Sequence, residues 1–284
     1  MYWQAGSENF LLYVYLQITV KYFHMHRRKF ITSTALLSLG LGQEQFITKR
    51  KTHVLTLSFD DGFKKSFYKI ADIHDEYGLK ACFNVIAMGH VKGMVSDKYI
   101  VPHVLGDFND WNKLKSRGHE IMPHSWDHQK LTDLPLTEAK ENIDKCLDYF
   151  EKNLDGYKAQ HAVYNFAYNA SNQELHDHVL EKVRALRTGG RLILGDNKYH
   201  LRPNRKTRQV QLGCWAYGPE NGDQWMDNEI NTFLASDGGW LILNLHGLDD
   251  EGWGPLSTRY LDSLLKRLSK IKNLEVLPAG MVLK

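Results

Sequence analysis

The sequence predicts an α/β fold: a barrel of seven or eight parallel strands in a single domain. Three observations lead there. From about residue 50 onward, short apolar runs of strand length alternate with amphipathic helical segments. The 284 residues, 43% hydrophobic, can bury a large core, and no Ser/Gly/Pro-rich linker, charge block or internal repeat divides them. Residues able to do chemistry recur at the C-terminal ends of the apolar runs, the rim where such barrels collect their active sites.

The elements follow in order. Leu55 to Phe59 reads as a strand. The next segment places Phe67, Ile70, Ala71, His74 and Tyr77 on one helical face, with Gly78 as its stop. Ala81 to Ala87 is a second strand. Trp111 to Arg117 is a short helix closed by Gly118, leading into a strand over His119 to Met122. Ala139, Ile143, Leu147, Phe150 and Leu154 mark a longer helix, followed by a strand over Ala162 to Tyr168 and a helix starting near Ser171 or Asn172. Ala185 to Thr188 and Gln209 to Tyr217 are further strands, and Trp225 to Leu234 is helical. Trp240 to Leu245 is a buried strand. Ser257 caps a helix bearing Leu261, Leu264, Leu265 and Leu268, and Leu274 to Leu277 closes the alternation. Repeated strand–helix units require right-handed crossovers and a parallel sheet.

The net charge of +3 belongs to the first part of the chain. Up to Gly42 the basic residues are Lys21, Arg27, Arg28 and Lys29, against Glu8 alone; the remainder is neutral, which gives no argument for a nucleic-acid partner. Met25 to Gly42, MHRRKFITSTALLSLGLG, has the charged start, short apolar stretch and small residues of an export signal. Its RRKFI core resembles the twin-arginine signal; an ordinary secretory signal carrying two arginines is the alternative. Residues 1–24 then read as an upstream extension from a misplaced start codon. Fusion of both apolar segments into a membrane anchor is disfavoured, because Lys21, His24 and Arg27 to Lys29 interrupt it. The expected mature protein is periplasmic or secreted, with no stable membrane span after cleavage and a catalytic domain over residues 50–284. Cys82, Cys146 and Cys214 have neither disulfide-framework nor zinc-knot spacing.

LTLSFDDG ends in Asp60 and Asp61, HSWDH carries His124 and His128, and WLILNLHG delivers His246. Two carboxylates and two imidazoles suffice to hold one divalent metal and leave a carboxylate for proton transfer. Alone, an Asp-Asp pair before glycine also serves to cap the following helix, with Asp61 accepting its amide protons. The convergence of Asp60, Asp61, His124, Tyr168 and His246 on one rim argues for a shared site.

SFDDG, HSWDH and LILNLHG, in that order, resemble the first, second and last motifs of the polysaccharide deacetylase family, the NodB-homology carbohydrate esterases; RGHEIMPHSWDHQKL and KACFNVIA match the surrounding pattern. The resemblance implies a distorted, TIM-like (β/α) barrel. It also implies metal-dependent removal of acetyl groups from a sugar polymer or oligosaccharide, N-acetyl before O-acetyl, with one divalent ion, zinc before others. It makes Asp61, His124 and His128 the metal ligands, Asp60 the catalytic base and His246 the general acid. Tyr168 and Trp253 are the expected substrate-binding residues; Trp253 follows His246 on the Gly-rich loop HGLDDEGWGP and could wall the acetyl pocket or stack on a sugar.

The chain departs from the pattern twice. YNFAYNAS (Tyr164 to Ser171) has Asn169 where the third motif has proline, and lacks the arginine that supports the base. No acidic residue of a fourth motif can be placed, leaving His246 either tuned differently or served by another residue. The alternative is therefore a catalytically inactive carbohydrate-binding relative. A phosphoester hydrolase is disfavoured, because no cationic cluster accompanies the motifs.

Overall fold

The computed structural model describes residues 52–95, 97–100, 104–203 and 210–284. The segments expected to form the upstream extension and the export signal lie outside the described residues. Among the described residues, no helix is long and apolar enough to cross a membrane.

Eight strands are present among these residues: β1 His53–Phe59, β2 Cys82–Val85, β3 Glu120–Pro123, β4 Val163–Asn165, β5 Ala185–Gly189, β6 Gln211–Cys214, β7 Gly239–Leu245 and β8 Leu274–Val276. The helices are α1 Lys64–Glu76, α2 Phe108–Ser116, α3 Leu136–Asn153, α4 Gln173–Leu180, α5 Gly190–Leu194, α6 Asp223–Leu234, α7 Thr258–Leu268 and α8 Ala279–Val282. All strand pairs are parallel. One sheet runs β3-β2-β1-β7, with β8 on the first half of β1, and the other runs β4-β5-β6.

The two sheets meet at two seams of different quality. At β6/β7 the backbone bridges them: Trp215 donates its N–H to Ile242 at 3.1 Å and accepts from Asn244 at 2.8 Å. At β3/β4 the described residues show no ladder. There the Asn165 side chain donates to the Pro123 carbonyl at 3.2 Å, and the Val163 N–H meets the Met122 sulfur at 3.4 Å. The barrel is thus distorted at the β3/β4 seam, where the two sheets are joined without a ladder.

Alternation along each strand sorts the core. Leu55, Leu57 and Phe59, with Phe83, Ile121, Tyr164, Leu186, Leu241 and Leu243, face outward into the cluster packed by the helices. Val54, Cys82, Val163, Ala185, Leu212, Trp240 and Ile242 face inward, and Ala279 and Leu283 from the α8 segment close the N-terminal end of this interior. The same inward register continues upward to Asp60, Asn84, Asn165, Arg187 and Asn244, all buried.

Local chemistry corrected several expectations. The strand expected over Ala162 to Tyr168 stops at Asn165, and Tyr168 lies in a short 3-10 turn over Ala167–Asn169, at φ 57°. Helix α2 begins three residues earlier than its apolar pattern suggests, because Asp107 and Asp110 form a reciprocal capping box. Helix α4 starts beside Asn172, within the expected region, and Asn172 caps it by accepting from the Leu175 N–H at 3.0 Å. Ser257 precedes α7 but does not cap it; its hydroxyl donates to Asp223, while Asp249 accepts the Thr258 N–H at 2.9 Å. The short α5 has no counterpart in the sequence reading, since a single turn is too brief to show periodicity.

Candidate metal centre

The donor set begins where β1 ends. The chain leaves Phe59 and turns at once, placing Asp61 at φ 77° and Gly62 at φ 102°. The positive φ favours glycine there, and a Cβ at residue 62 would also make a tight 3.1 Å contact with the Trp111 ring. The N-cap of α1 is Phe63, without a side-chain cap, so Asp61 is not spent on the helix. It points into the barrel mouth instead, buried, and its Oδ1 has no hydrogen-bond partner.

The two histidines come from the end of β3. His124 continues the inward register, and its Nδ1 lies 3.0 Å from the Asn165 carbonyl. Donation there puts the ring proton on Nδ1 and presents the Nε2 lone pair to the mouth. Ser125 (φ 65°) and His128 (φ 61°) both adopt left-handed backbone, and the Ser125 hydroxyl accepts the His128 N–H at 3.0 Å. Non-glycine residues in this region cost energy and persist where the surroundings over-determine them, a pattern that clusters at ligand clamps.

Asp61 Oδ1 lies 3.4 Å from His124 Nε2 and 3.3 Å from His128 Nε2. These separations are long for hydrogen bonds. They match the edge of a tetrahedron with metal–ligand arms of about 2.0–2.1 Å, roughly 3.3–3.4 Å. Among the described residues Asp61, His124 and His128 are the one group of ligating side chains whose donor atoms converge, all within 4.8 Å. An orphaned buried carboxylate oxygen between two imidazole nitrogens fits a divalent cation.

Asp60 is held very differently. Its Oδ1 accepts from Asn84 Nδ2 at 2.7 Å; its Oδ2 accepts from Arg187 Nη2 at 2.6 Å and from Asn244 Nδ2 at 2.7 Å. Arg187 is itself fixed through Nε to Asn165 Oδ1 at 2.7 Å. Burial opposes the charged form of Asp60, but the Arg187 guanidinium, with His124 and His246, more than offsets it and holds the carboxyl below its ordinary range. Asp61 is held well below that range, its burial outweighed by His128 and His124.

His246 stands at the end of β7, partly buried, edge-on to Trp253 with ring centroids 5.6 Å apart. Burial lowers its imidazole from the ordinary value, opposed by the charges of Asp61 and Asp60. Among the described residues no carboxylate is ion-paired with it, so the fourth-motif partner missing from the sequence has no replacement there.

A cavity of about 570 Å³ gathers all seven residues singled out from the sequence: Asp60, Asp61, His124, His128, Tyr168, His246 and Trp253. Three other tryptophans make their contacts elsewhere: Trp126 packs on Tyr149, Trp225 stacks on Tyr217, and the Trp215 indole donates to the Lys198 carbonyl. Four residues near the centre were not singled out: Asn84, Asp97, Arg187 and Asn244. Arg187 is the instructive omission. The arginine missing from the segment after β4 is supplied by the neighbouring strand, two residues above Ala185 on the inward face. A lone arginine inside the apolar run of ALRTG, at inward register, was the available signal.

The fold and this donor set define the class: an α/β barrel with a two-histidine, one-carboxylate centre at its C-terminal rim. Residues 48–184 match the family model described as polysaccharide deacetylase. No curated protein matches the chain. Solved structures resemble it in fold. The peptidoglycan deacetylase PdaC from Bacillus subtilis has 20% identity, covering 81% of this chain and 90% of that one, with a TM-score of 0.51. The Xyl-CE4 domain of a multidomain xylanase from the hindgut metagenome of Trinervitermes trinervoides has 15% identity, 81% and 89% coverage and a TM-score of 0.51.

Proposed function

We propose that this protein is an exported, metal-dependent deacetylase that removes acetyl groups, N-acetyl before O-acetyl, from a sugar polymer or oligosaccharide. The observation that carries this reading is the pairing of two unlike carboxylates: Asp61, orphaned between two imidazoles, and Asp60, held by an arginine and two amides. Asp61, His124 and His128 would hold a divalent ion, zinc before others, which when bound polarises the acetyl carbonyl.

The chain's own groups do the rest. Asp60 accepts a proton from the water that attacks the carbonyl carbon. With Asn244 and Arg187 on Oδ2 and Asn84 alone on Oδ1, Oδ1 keeps a lone pair for that proton. His246 donates a proton to the departing nitrogen as the C–N bond breaks, releasing acetate and an amine. Tyr168 and Trp253 wall the cavity and orient the sugar. Arg187 restores the support for the base that the altered third motif lacks, which favours an enzyme over an inactive carbohydrate-binding relative. PdaC is named a peptidoglycan deacetylase and the Xyl-CE4 domain belongs to a xylanase, so both polymer types belong in the test.

The test is acetate release from acetylated chitin oligomers, peptidoglycan fragments and acetylxylan, with chelation and re-addition of metal. Activity abolished by chelator and restored by a divalent ion is expected. Binding of these glycans without acetate release from any of them would establish the inactive relative instead.

A further inference from the structure

The two histidines of the donor set differ in what holds their far nitrogens. A ligand that binds through Nε2 must carry its proton on Nδ1, and that N–H needs an acceptor to fix the ring plane and raise ligand basicity. His124 has one, the Asn165 carbonyl. His128 Nδ1 is buried and has no hydrogen-bond partner. The nearest acid is Asp97, whose Oδ2 lies 3.8 Å away.

Asp97 is no passing surface carboxylate. It lies between β2 and α2, well away from the DDG and HSWDH motifs in sequence, and its side chain is only 13% exposed. Two donors hold it in place: the Tyr99 N–H on Oδ1 and the Tyr168 hydroxyl on Oδ2, both at 2.8 Å. The Tyr168 ring in turn lies against His128, centroids 4.7 Å apart. Tyr168, Asp97 and His128 therefore form a closed triangle across the cavity mouth, complete except for one bond.

We propose that Asp97 is the positioning residue of the metal centre: it accepts the His128 Nδ1–H once a divalent ion draws His128 Nε2 into place, with Tyr168 holding the carboxylate. Closing the gap takes a shift of about 1 Å, from 3.8 Å to an ordinary hydrogen-bond length. The inference rests on His128 being a ligand. It gives Tyr168 a second task beside facing the sugar, since its hydroxyl is already committed to Asp97.

The test is zinc affinity of the purified domain by competition with a chromophoric chelator, alongside thermal melts with and without zinc. Loss of an outer partner of a ligating histidine weakens metal binding about 10–100-fold, and that is the expectation for Asp97→Ala. The metal-free melting temperature should stay near wild type, whereas a merely structural loop residue would lower it and leave affinity alone. Tyr168→Phe should weaken binding less, and adding it to Asp97→Ala should cost little more, because both act along one path. His128→Ala is the control. If it loses zinc while Asp97→Ala binds within about twofold of wild type, the positioning role is wrong and the ligand assignment stands. If His128→Ala keeps full affinity, the ligand assignment fails and the role of Asp97 falls with it.

Discussion

The two ends of the barrel interior obey one register and opposite chemistry. At the N-terminal end the inward residues are mainly apolar, Val54, Cys82, Val163, Ala185, Leu212 and Trp240, sealed by Ala279 and Leu283, with one buried carboxylate, Glu120, that accepts from the Cys82 thiol and the Gly280 N–H. At the C-terminal end the same strands present Asp60, Asn84, Asn165, Arg187 and Asn244, buried and joined by hydrogen bonds of 2.6–2.7 Å around Asp60 and Arg187. The apolar end stabilises the fold by removing surface from water. The polar end gains little net stability from its ion pair, since desolvation consumes most of the attraction. Under the proposed function its value is positional: a carboxylate clamped on both oxygens can neither rotate away from nor drift beside Asp61, His124 and His128. Apolar burial is thus concentrated at one end and the hydrogen-bonded charged groups of the proposed site at the other.

Rate and stability, measured separately, distinguish the two ends of the barrel. Asp60→Asn and His246→Ala should each lower the deacetylation rate about 10²–10⁴-fold with zinc still bound, the usual worth of a positioned base or acid. For His246→Ala the loss should be smaller on an O-acetyl ester, whose alkoxide leaves with less help than an amine. Equal losses on amide and ester would indicate positioning instead of proton donation.

Next in size are the stability effects. Arg187→Met should cost about 3–5 kcal/mol in urea melts, because it strands a buried carboxylate, and it should also lower the rate. Trp240→Ala, at the apolar end, should cost a similar 3–5 kcal/mol through its cavity while leaving the rate per folded molecule near wild type. A rate loss for Trp240→Ala as large as that for Arg187→Met would show that the two ends are not separable.

Acid should separate the helical shell from the rim. Burial lowers the His74 imidazole to about 4, although its Nδ1 is hydrogen-bonded to the Ile70 carbonyl at 2.7 Å. A folded-state pKa below the unfolded value of about 6.5 means that stability is full above that pH and falls as the solution is acidified toward 4, by about 3 kcal/mol. His119, also lowered to about 4 by burial, acts in the same window. The depressed carboxylates of Asp60 and Asp61 contribute above about 4, and their contribution is lost only as pH falls further. Metal-free His74→Leu should therefore lose less stability than wild type between pH 7 and pH 4; equal losses would remove His74 from the account. The smallest expected effect is that of Asn84→Ala, which deletes one charge-assisted hydrogen bond on Asp60. It should cost about 1.5–3 kcal/mol and reduce the rate less than Arg187→Met.

The alternation of strand and helix, the parallel architecture and the motif residues near strand ends are legible in the amino-acid sequence. These depend on local periodicity and on short motifs whose members lie within a few residues of one another. Gly62 after Asp61, and Ser125 three residues before His128, are local devices of that kind. What surrounds Asp60 is not legible in the sequence, because its partners come from β2, β5 and β7, far apart in the chain and adjacent only once the strands assemble. An arginine in an apolar run announces that it has a partner but does not say which one. Asp97 is the extreme case: it belongs to no motif and no strand, and its place beside His128 follows from packing across the barrel mouth.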